Sequence, residues 1–558
     1  MSVNPNGSKE QWGSRLGVIL AVAGSAVGLG NFLRFPGVAA ANGGGTFMIP
    51  YVIAFLLLGL PIAWVEWSMG RYGGARGFNS SPGIFRAICK KDGAAYIGVL
   101  ALLIPLGIYM YYVLIEAWCL AYAWKYWSGG MAEVVAAAGD VKADQVAAAR
   151  GHIMEFSGIS EENGAQFSSL MSGAVPFVIA CFVINFILIY RGVSKGIEWF
   201  CKWAMPALIV CALIILVRVL TLGTPDVGQP EKSLVNGLGF MWNPVGHAIE
   251  TADDGTQSLV EVGFWESLLN ADVWLAASGQ IFFSLSVGFG IIMTYSSYMK
   301  KDDDLMLSST AACAGNGFCE VVLGGLITIP AAFLFVPALE IVGFAGSSFS
   351  MGFRALPGVF EYMPLGHFFG GLFFFLLTLA AITSSLSMLQ PVIAMLEEGL
   401  GLTRHAAVAI LGFVTLVGCT FVLYFSSGAV ALDTIDFWVG NFGLFVLAGI
   451  EVVIFGWVLG ANRGLEELAK GAEVRVPRLL KPMVMYVTPL FLGTIFVFWC
   501  FQQLNYSDGS AVFKVVNNRV TQATLVMLGV VIVLLALLIA ASVKRWRAAE
   551  AAADKELS

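Results

Sequence analysis

The first apolar segment of this chain contains the stretch Gly24-Ser25-Ala26-Val27-Gly28-Leu29-Gly30-Asn31. The segment as a whole, residues 16–41, is long enough to cross a bilayer as one helix. Its middle nevertheless combines three glycines with a serine and an asparagine, and Arg34 and Pro36 follow closely. Glycine weakens a helix interior, and irregular backbone at membrane depth is tolerated only where it faces protein or a cavity. The stretch therefore predicts a broken helix beside a buried polar site, and close helix packing through Gly24 and Gly28 is the alternative.

The composition is that of a polytopic membrane protein. Of 558 residues, 58% are hydrophobic and only 12% are charged, whereas soluble domains carry about 25% charged residues. The first twelve residues are polar and the apolar run that follows is too long for a signal peptide core, so we expect no cleaved leader. The nine cysteines lie mostly in apolar segments without metal-site spacing, which indicates small apolar side chains.

Hydrophobic runs predict twelve transmembrane segments. They lie near residues 16–41, 47–70, 93–124, 174–190, 202–221, 270–298, 308–337, 369–396, 406–426, 437–460, 482–502 and 522–543. Lysine and arginine concentrate in the loops that follow an even number of segments and in the C-terminal tail. Because positively charged loops stay in the cytoplasm, we expect both termini to be cytoplasmic.

The sixth segment repeats the peculiarity of the first. Between Gln280 and Gly290 it places Ser284, Ser286, Gly288 and Gly290 in the middle of an apolar run. Two interrupted segments, one opening each set of five, are typical of a transporter built from inverted repeats. Half-helix N-termini in such a fold attract anions, while freed carbonyl groups bind cations.

The predicted organisation follows from this repeat. It comprises a cytoplasmic N-terminus at 1–15, a first five-helix repeat at 16–221 with an acidic external loop at 128–172, an external loop at 222–269, a second, inverted five-helix repeat at 270–460, helices 11 and 12 at 461–545 and a cytoplasmic tail at 546–558.

Several polar groups lie inside other apolar segments. Asn316 and Glu320 are four residues apart on one helix face, and residues 383–385 form a hydroxyl cluster. Neutral oxygens of this kind suit sodium, although a serine or threonine in a membrane helix also often bonds to its own backbone. The carboxylates Glu66, Glu116 and Glu451 are costly in lipid and should face the bundle, and for Glu66 we favour bonding to broken backbone.

Longer motifs resemble the neurotransmitter:sodium symporter family, and in particular its LeuT-like bacterial amino-acid:sodium symporters. The resemblance runs from about Trp12 to beyond Asp436. It rests on Trp12-Gly-Ser-Arg-Leu-Gly17, on residues 24–36, on Asn42-Gly-Gly-Gly45, Glu66-Trp-Ser-Met-Gly-Arg-Tyr-Gly73, Arg191-Gly-Val-Ser-Lys-Gly196, Gly279-Gln-Ile-Phe-Phe283 and Thr383-Ser-Ser-Leu-Ser-Met-Leu-Gln-Pro391. It implies an all-α polytopic fold with twelve transmembrane helices, an inverted five-plus-five repeat, discontinuous helices 1 and 6, and alternating access.

The resemblance implies two sodium sites and no organic cofactor. The first site would use the carbonyl of Ala26, the side chains of Asn31, Ser284 and Asn316, and the carboxylate of the substrate. Ser284 replaces the usual threonine of the family and keeps its oxygen. The second would use carbonyls of Gly24, Val27 and Ala380 with the hydroxyls of Thr383 and Ser384.

The implied substrate pocket lies between the two interrupted helices. Its expected members are Ser25, Ala26, Gly28, Leu29, Gly30, Ile108, Tyr112, Phe283, Ser284, Ser286, Phe289, Ser385 and Met388. Monoamine carriers of the family have an aspartate where Gly28 stands, and glycine leaves room for a substrate carboxylate. The apolar members then favour an α-amino acid with a hydrophobic side chain.

Gates are also carried over from the family. Arg34 and Asp436 would close the outer side near Gln280, and Lys9 and Glu398 the inner side, supported by Ser297, Tyr298 and Gln390. The inner pair departs from the arginine and aspartate of LeuT-like members, and lysine lacks the planar fork of arginine. Interfacial charges without a gating role remain the alternative.

Glu320 replaces a neutral residue of the chloride-dependent relatives. Its carboxylate would supply the negative charge that chloride provides, so the resemblance implies chloride independence. A proton carried back by Glu320 after sodium release is a further hypothesis.

The sequence also bears on functional classes other than amino-acid symport. The sequence has no HExxH, GxSxG or His/Asp cluster for an intramembrane enzyme. A sensor on a transporter scaffold, or a carrier of glycine, a γ-amino acid or a methylamine osmolyte, remains open. Because the outer loops lack cysteines, we expect a bacterial inner-membrane protein that contacts its amino-acid substrate, sodium and lipid but no nucleic acid, with a homodimer open as an alternative to a monomer.

Overall fold

The computed structural model describes residues 12–160, 173–224, 232–252, 256–343, 351–504 and 510–557. Within them, nine helices are long and apolar enough to cross a membrane: α2 (Gly44–Gly74), α3 (Asp92–Ser128), α5 (Val193–Leu220), α7 (Leu305–Phe335), α8 (Gly366–Leu400), α9 (Arg404–Tyr424), α10 (Ser427–Ala469), α11 (Leu480–Gln503) and α12 (Arg519–Ala548). A shorter apolar helix, α4, spans Val175–Tyr190.

The two remaining segments are each interrupted. The first consists of α1a (Arg15–Ala26) and α1b (Gly30–Ala41), which are bent by 44°. The sixth consists of α6a (Ala271–Leu285) and α6b (Ile291–Ser297). All twelve predicted segments therefore have a counterpart, and both predicted interruptions are present.

Segment ends differ from the predictions. Helix α5 begins nine residues before the predicted start and α10 begins ten residues before it. Both extensions carry polar residues, which hydropathy excludes from a segment although the helix continues through them. In α12 the helix also continues to Leu557, through the predicted C-terminal tail.

The core is a bundle in which the interrupted helices are surrounded by continuous ones. Among the described helices, α3 and α8 have the most extensive contact with each other. Helix α6b packs against α2, and α1a packs between α5, α7 and α8. All nine cysteines are free thiols and seven are buried, in agreement with their predicted packing role.

The outer loops also contain regular structure. The predicted external loop at 128–172 contains helices Gly130–Ala137 and Lys142–Ser157, and strands β1 (Gly246–Thr251) and β2 (Gln257–Val262) form an antiparallel hairpin in the register Gly246↔Val262. Arg150 pairs with Glu340, and Lys142 pairs with Glu361 at 3.6 Å. The described part of this loop, up to residue 160, is thus tied to the segment that connects α7 and α8.

Candidate functional site

The two helix interruptions meet at one hydrogen bond. Ser286 Oγ donates to the carbonyl oxygen of Ser25 at 3.1 Å. Ser286 has a φ of 53°, in the left-handed region that side-chain-bearing residues rarely adopt. Gly288 and Gly290 complete the turn at positive φ. The sequence between α6a and α6b therefore supports a backbone that a continuous helix could not adopt, and α1 stabilises it.

The side chains predicted for the first ion are joined in a continuous series of hydrogen bonds. Asn31 Oδ1 accepts from Gly28 N–H at 2.9 Å, and Asn31 Nδ2 donates to Asn316 Oδ1 at 2.8 Å. Asn316 Nδ2 then donates to Ser284 Oγ at 2.6 Å. All three polar side chains are buried. They join α1b, α6a and α7 at the interruption, beside the buried Ala26.

Glu320 ends this series. Its carboxylate accepts from Ser284 Oγ at 2.6 Å, from Tyr51 OH at 2.5 Å and from the Gln280 side-chain amide. The residue is fully buried in a π-helical turn of α7, Phe318–Gly325. Glu320 therefore brings a carboxyl group directly to a residue of the predicted first sodium site.

The residues predicted for the second ion also come together. Ser384 Oγ lies 3.4 Å from the carbonyl oxygen of Gly24, and Thr383 Oγ1 donates to the carbonyl of Ala380 at 2.9 Å. A Cβ added at Gly24 would lie 3.3 Å from Thr383 Cβ. Val27 is fully buried at the end of α1a. Close packing at Gly24 thus coexists with the interruption of α1. The close packing brings α8 next to this interruption.

Both groups have donor sets that fit sodium. They contain amide, hydroxyl and carbonyl oxygens with one adjoining carboxyl group, and neither contains thiolate or imidazole among the predicted ligands. Oxygen ligands are those that hard cations prefer. The chemistry of the residues therefore agrees with the predicted ion.

Gly28 faces a narrow polar space. A Cβ added there would lie 2.7 Å from Ser384 Oγ and 3.0 Å from Tyr112 OH. Leu29 N–H donates to Tyr112 OH at 3.3 Å. A larger residue at position 28 would collide with these two hydroxyls. Glycine leaves them and the Leu29 N–H uncovered by a side chain, and groups of this kind can bind a carboxylate.

Aromatic and aliphatic side chains lie on the other side of the interruption. Phe283 and Phe289 contact each other edge to face with ring centroids 6.3 Å apart. Phe283 also covers Gly30, where an added Cβ would lie 3.1 Å from the ring. Ile108 and Met388 are buried. This part of the predicted pocket is apolar.

Two predicted pocket serines have protein partners. Ser25 Oγ donates to Ser387 Oγ at 2.8 Å. Ser385 Oγ donates to Glu116, whose carboxylate also accepts from Asn185 Nδ2 at 3.1 Å. Glu116 is buried, as expected for a carboxylate facing the bundle. The Ser385 hydroxyl is thus directed to α3 and α4.

Glu66 supports the second interruption. Its Oε1 accepts from the Gly288 N–H, as expected, and its carboxyl group lies within hydrogen-bonding reach of Glu451. The second oxygen of Glu66 and both oxygens of Glu451 have no donor among the described residues. Two carboxyl groups can bond to each other only when one carries a proton. We therefore expect the pair to share one proton.

We expect Glu451→Gln to leave the melting temperature unchanged or higher, because its amide would supply the donor that the proton supplies. Glu66→Ala should lower it by several degrees, because an unpaired buried N–H at Gly288 costs about 1–3 kcal/mol. Both are measured by thermal unfolding of the purified protein. Equal destabilisation by the two variants would contradict a shared proton.

The predicted outer gate contains an additional residue. Arg34 lies over the Phe283 ring at 4.5 Å, and its guanidinium donates to Gly279 O and Asn441 Oδ1, both at 3.4 Å. Asn441 Nδ2 donates to Asp436 Oδ2 at 3.3 Å. Arg34 and Asp436 are therefore connected through Asn441 and form no direct ion pair with each other. Their gating role stays a prediction.

On the inner side, Glu398 caps a loop of the first repeat. It accepts from the backbone N–H groups of Asn79 and Ser80 at 2.6 and 2.8 Å, and from Ser80 Oγ at 3.0 Å. The predicted partner Lys9 lies outside the described residues. The pairing of Lys9 with Glu398 remains a prediction.

The supporting residues of this gate are joined to α9. Gln390 Nε2 donates to Tyr298 OH at 2.9 Å, and Gln390 Oε1 accepts from Arg404 at 2.9 Å. Ser297 Oγ donates to Thr294 O at 2.6 Å. The end of α6b is thus in contact with α8, which in turn is bonded to α9.

The chain before α1a is anchored to the same region. Trp12 Nε1 donates to Tyr295 O at 2.9 Å, and the two rings pack edge to face. Gly13 N–H and Ser14 Oγ donate to Glu198 at 2.7 and 3.0 Å. These contacts hold α1a against α5 and α6b on the predicted cytoplasmic side of the interruptions.

Sequence reasoning missed several polar residues of the site. Tyr51 donates to Glu320, and Tyr111 donates to Asp436 at 2.7 Å. Ser387 accepts from Ser25, and Asn185 donates to Glu116. Asn441 was detectable, because an asparagine five residues after Asp436 interrupts an apolar run. The tyrosines carry no such signal, since their rings suit any apolar segment.

Comparison with known proteins places these features in a family. The model of the sodium:neurotransmitter symporter family matches residues 9–133 and 245–544. An uncharacterized sodium-dependent transporter of Methanocaldococcus jannaschii is 26% identical and aligns over 87% of this chain and 89% of its own length. The uncharacterized sodium-dependent transporter YhdH of Bacillus subtilis is 30% identical and aligns over 70% of this chain and 73% of its own length. The sodium- and chloride-dependent neutral and basic amino acid transporter B(0+) of Mus musculus is 26% identical and aligns over 90% of this chain and 81% of its own length.

A solved structure supports the architecture. The crystal structure of MhsT in complex with L-phenylalanine has a TM-score of 0.70 and 25% identity, and the match covers 88% of this chain and 99% of the MhsT chain. The matched regions include both interruptions and the residues of the two predicted ion sites. The chain belongs to the sodium:neurotransmitter symporter family and is a sodium-dependent membrane transporter, not an enzyme.

Proposed function

We propose that this transporter carries an α-amino acid with a hydrophobic side chain into the cell together with two sodium ions. The observation that carries the proposal is the space at Gly28. Glycine puts no side chain beside the Tyr112 OH, the Ser384 Oγ and the Leu29 N–H, which are polar groups that a substrate carboxylate can contact. A substrate carboxylate there would lie near Asn31, whose side chain accepts from Gly28 N–H.

The apolar side of the site supports the proposed substrate class. Phe283, Phe289, Ile108 and Met388 offer no charged group to a substrate side chain. The hydroxyl of Ser385, which could bind a polar substrate, donates to Glu116. The phenylalanine complex of the structural neighbour is consistent with this class.

In the proposed cycle, sodium links substrate binding to closure of the outer side. The first ion would join Asn31 and Asn316 to the substrate carboxylate, and the second would hold the Gly24 carbonyl against α8. Each ion would thus connect an interrupted helix to a continuous one. Arg34 over Phe283 would then close the pocket from outside, while release of the contacts at Trp12 and Glu198 would open it to the cytoplasm.

The experiment is binding of radiolabelled leucine, tryptophan, glycine and betaine, each with and without sodium. Sodium-stimulated binding of leucine or tryptophan supports the proposal. Preference for glycine or betaine would instead support the carrier of another small zwitterion. Binding without uptake in proteoliposomes would indicate a sensor.

We further propose that transport is independent of chloride because Glu320 supplies the fixed negative charge beside the first ion. Its carboxylate contacts Ser284, a predicted ligand of that ion, at 2.6 Å. Some relatives are described as sodium- and chloride-dependent, and others only as sodium-dependent.

We expect Glu320→Ser to make sodium-driven uptake at least severalfold dependent on chloride, because serine keeps a hydroxyl but removes the charge. Uptake into proteoliposomes is compared in chloride and in gluconate. Glu320→Asp is the matched control, since it keeps the carboxylate. An active serine variant without chloride stimulation would contradict the assignment.

We propose a bacterial inner-membrane location with both termini in the cytoplasm. The charge distribution of the loops supports this orientation. Lys301 is exposed in the loop between α6b and α7. In a Lys301→Cys variant, a thiol reagent that does not cross the membrane should label this position from the cytoplasmic side only.

A further inference from the structure

A cavity outside the central site lies among α10, α11 and α12. Its volume is about 270 Å³, about nine times the volume of a liquid water molecule and close to the lower limit for small-molecule sites. It is lined by residues 428–438 of α10, by Gln503 and by residues 511–521. It shares none of these residues with the predicted substrate and ion sites.

The cavity contains one acidic and one basic side chain that do not pair with each other. Asp433 and Lys514 both line its open side, where both residues are exposed, and they interact electrostatically. They are nevertheless beyond the 4.0 Å limit of an ion pair. Opposite charges that face one space without closing on each other are suited to the two ends of a zwitterion.

The walls near each charge strengthen this polarity. Phe437 and Trp438 contact the cavity near Asp433, with ring centroids 5.3 Å apart. Aromatic faces attract an ammonium group. Near Lys514, α12 begins after Asn518, whose side chain caps the backbone N–H groups of Val520 and Thr521 at 2.9 and 3.1 Å. The positive end of a long helix favours an anion.

We propose that this cavity binds a small zwitterion, with its ammonium group at Asp433 and its anionic group at Lys514. Two sources share this chemistry, a free amino acid and the headgroup of an ethanolamine phospholipid. The site is independent of the central site, because it contains no predicted sodium ligand. Binding there therefore requires no sodium.

The test separates the two sites by their sodium dependence. The full chain with Asn31→Ala is placed in nanodiscs of phosphatidylglycerol alone, and binding of radiolabelled leucine, phenylalanine and phosphoethanolamine is measured without sodium. We expect saturable binding of at least one probe at one site per chain. Asp433→Asn and Lys514→Gln should each weaken it at least tenfold.

Two controls keep the result interpretable. Lys232→Gln removes a charge from an outer loop that does not line the cavity and should leave binding unchanged. In an otherwise native chain, Asp433→Asn and Lys514→Gln should keep sodium-stimulated binding, which shows that they fold. The cavity proposal can thus fail while the proposed function holds, and the proposed function can fail while the cavity proposal holds.

A second arm identifies a lipid source. In nanodiscs that also contain phosphatidylethanolamine, native mass spectrometry should detect one retained lipid of this class per chain if the headgroup occupies the cavity, and Lys514→Gln should abolish the retention. Binding of the soluble probes without lipid retention supports a free amino acid. Absence of both, or binding that neither variant weakens, would overturn the proposal.

Discussion

Asn31→Ala should reduce sodium-stimulated substrate binding by at least 100-fold. The side chain accepts from Gly28 N–H and donates to Asn316, and both partners are buried. Each unpaired buried group costs about 1–3 kcal/mol, and 1.4 kcal/mol corresponds to tenfold in affinity. A ligand of the proposed first ion is lost as well. Equilibrium binding of the radiolabelled substrate against sodium concentration measures the effect.

The matched control is Asn462→Ala, which removes an exposed asparagine near the C-terminal end of α10 and should bind like the native chain. Thr383→Ala tests the second ion in the same assay and should also abolish the stimulation by sodium. Retention of stimulation in both Asn31→Ala and Thr383→Ala would overturn the ion assignments, whatever the substrate.

Gly28→Ala should lower substrate affinity at least tenfold while the chain still folds. The added methyl group would lie 2.7 Å from Ser384 Oγ and 3.0 Å from Tyr112 OH, inside the space proposed for the carboxylate. Overpacking of this kind costs about 1–3 kcal/mol, which those two side chains can partly relieve by moving. Binding affinity and melting temperature are measured together.

Gly493→Ala is the control for this substitution. It adds the same methyl group to α11, where no atom lies within 4 Å of the added Cβ. If Gly28→Ala binds substrate as tightly as Gly493→Ala does, the carboxylate does not occupy the space at Gly28. The proposed substrate orientation would then be wrong.

The twelve segments and both interruptions were predictable because they depend on local properties of the chain. Apolar length determines where a helix can cross the bilayer, and glycine with polar residues marks where it stops. The chain of Asn31, Ser284 and Asn316 was also predicted as a set, through the family resemblance. Its internal order, from Gly28 through Asn31 to Glu320, required the structure.

Other features could not be read from the sequence because they depend on helix phase. Three π-helical turns contain residues of the site. Gly30–Arg34 contains Asn31 and Arg34, Phe318–Gly325 contains Glu320, and Asp436–Gly443 begins at Asp436. A wider turn rotates every following side chain, so that spacing alone does not predict the face. Asn441 reaches both Arg34 and Asp436 in this way.

The direction of a serine hydroxyl is similarly unpredictable. Residues 383–385 appear equivalent in sequence, yet Thr383 bonds to its own helix, Ser384 lies near α1a and Ser385 donates to Glu116. The partner of each hydroxyl is set by the neighbouring helix at that depth. Their predicted roles in ion and substrate binding therefore differ in ways that only packing determines.

The anchoring of Trp12, Gly13 and Ser14 bears on leakage of the sodium gradient. If α1a moves away from α5 when the proposed cytoplasmic side opens, the two bonds to Glu198 must break. Hydrogen bonds to charged groups contribute about 1.5–3 kcal/mol each. Two of them alone would hold the spontaneously open population between about one in a hundred and one in ten thousand. An idle transporter would then dissipate little of the gradient, and any cytoplasmic factor that competes for Glu198 would increase ion slippage.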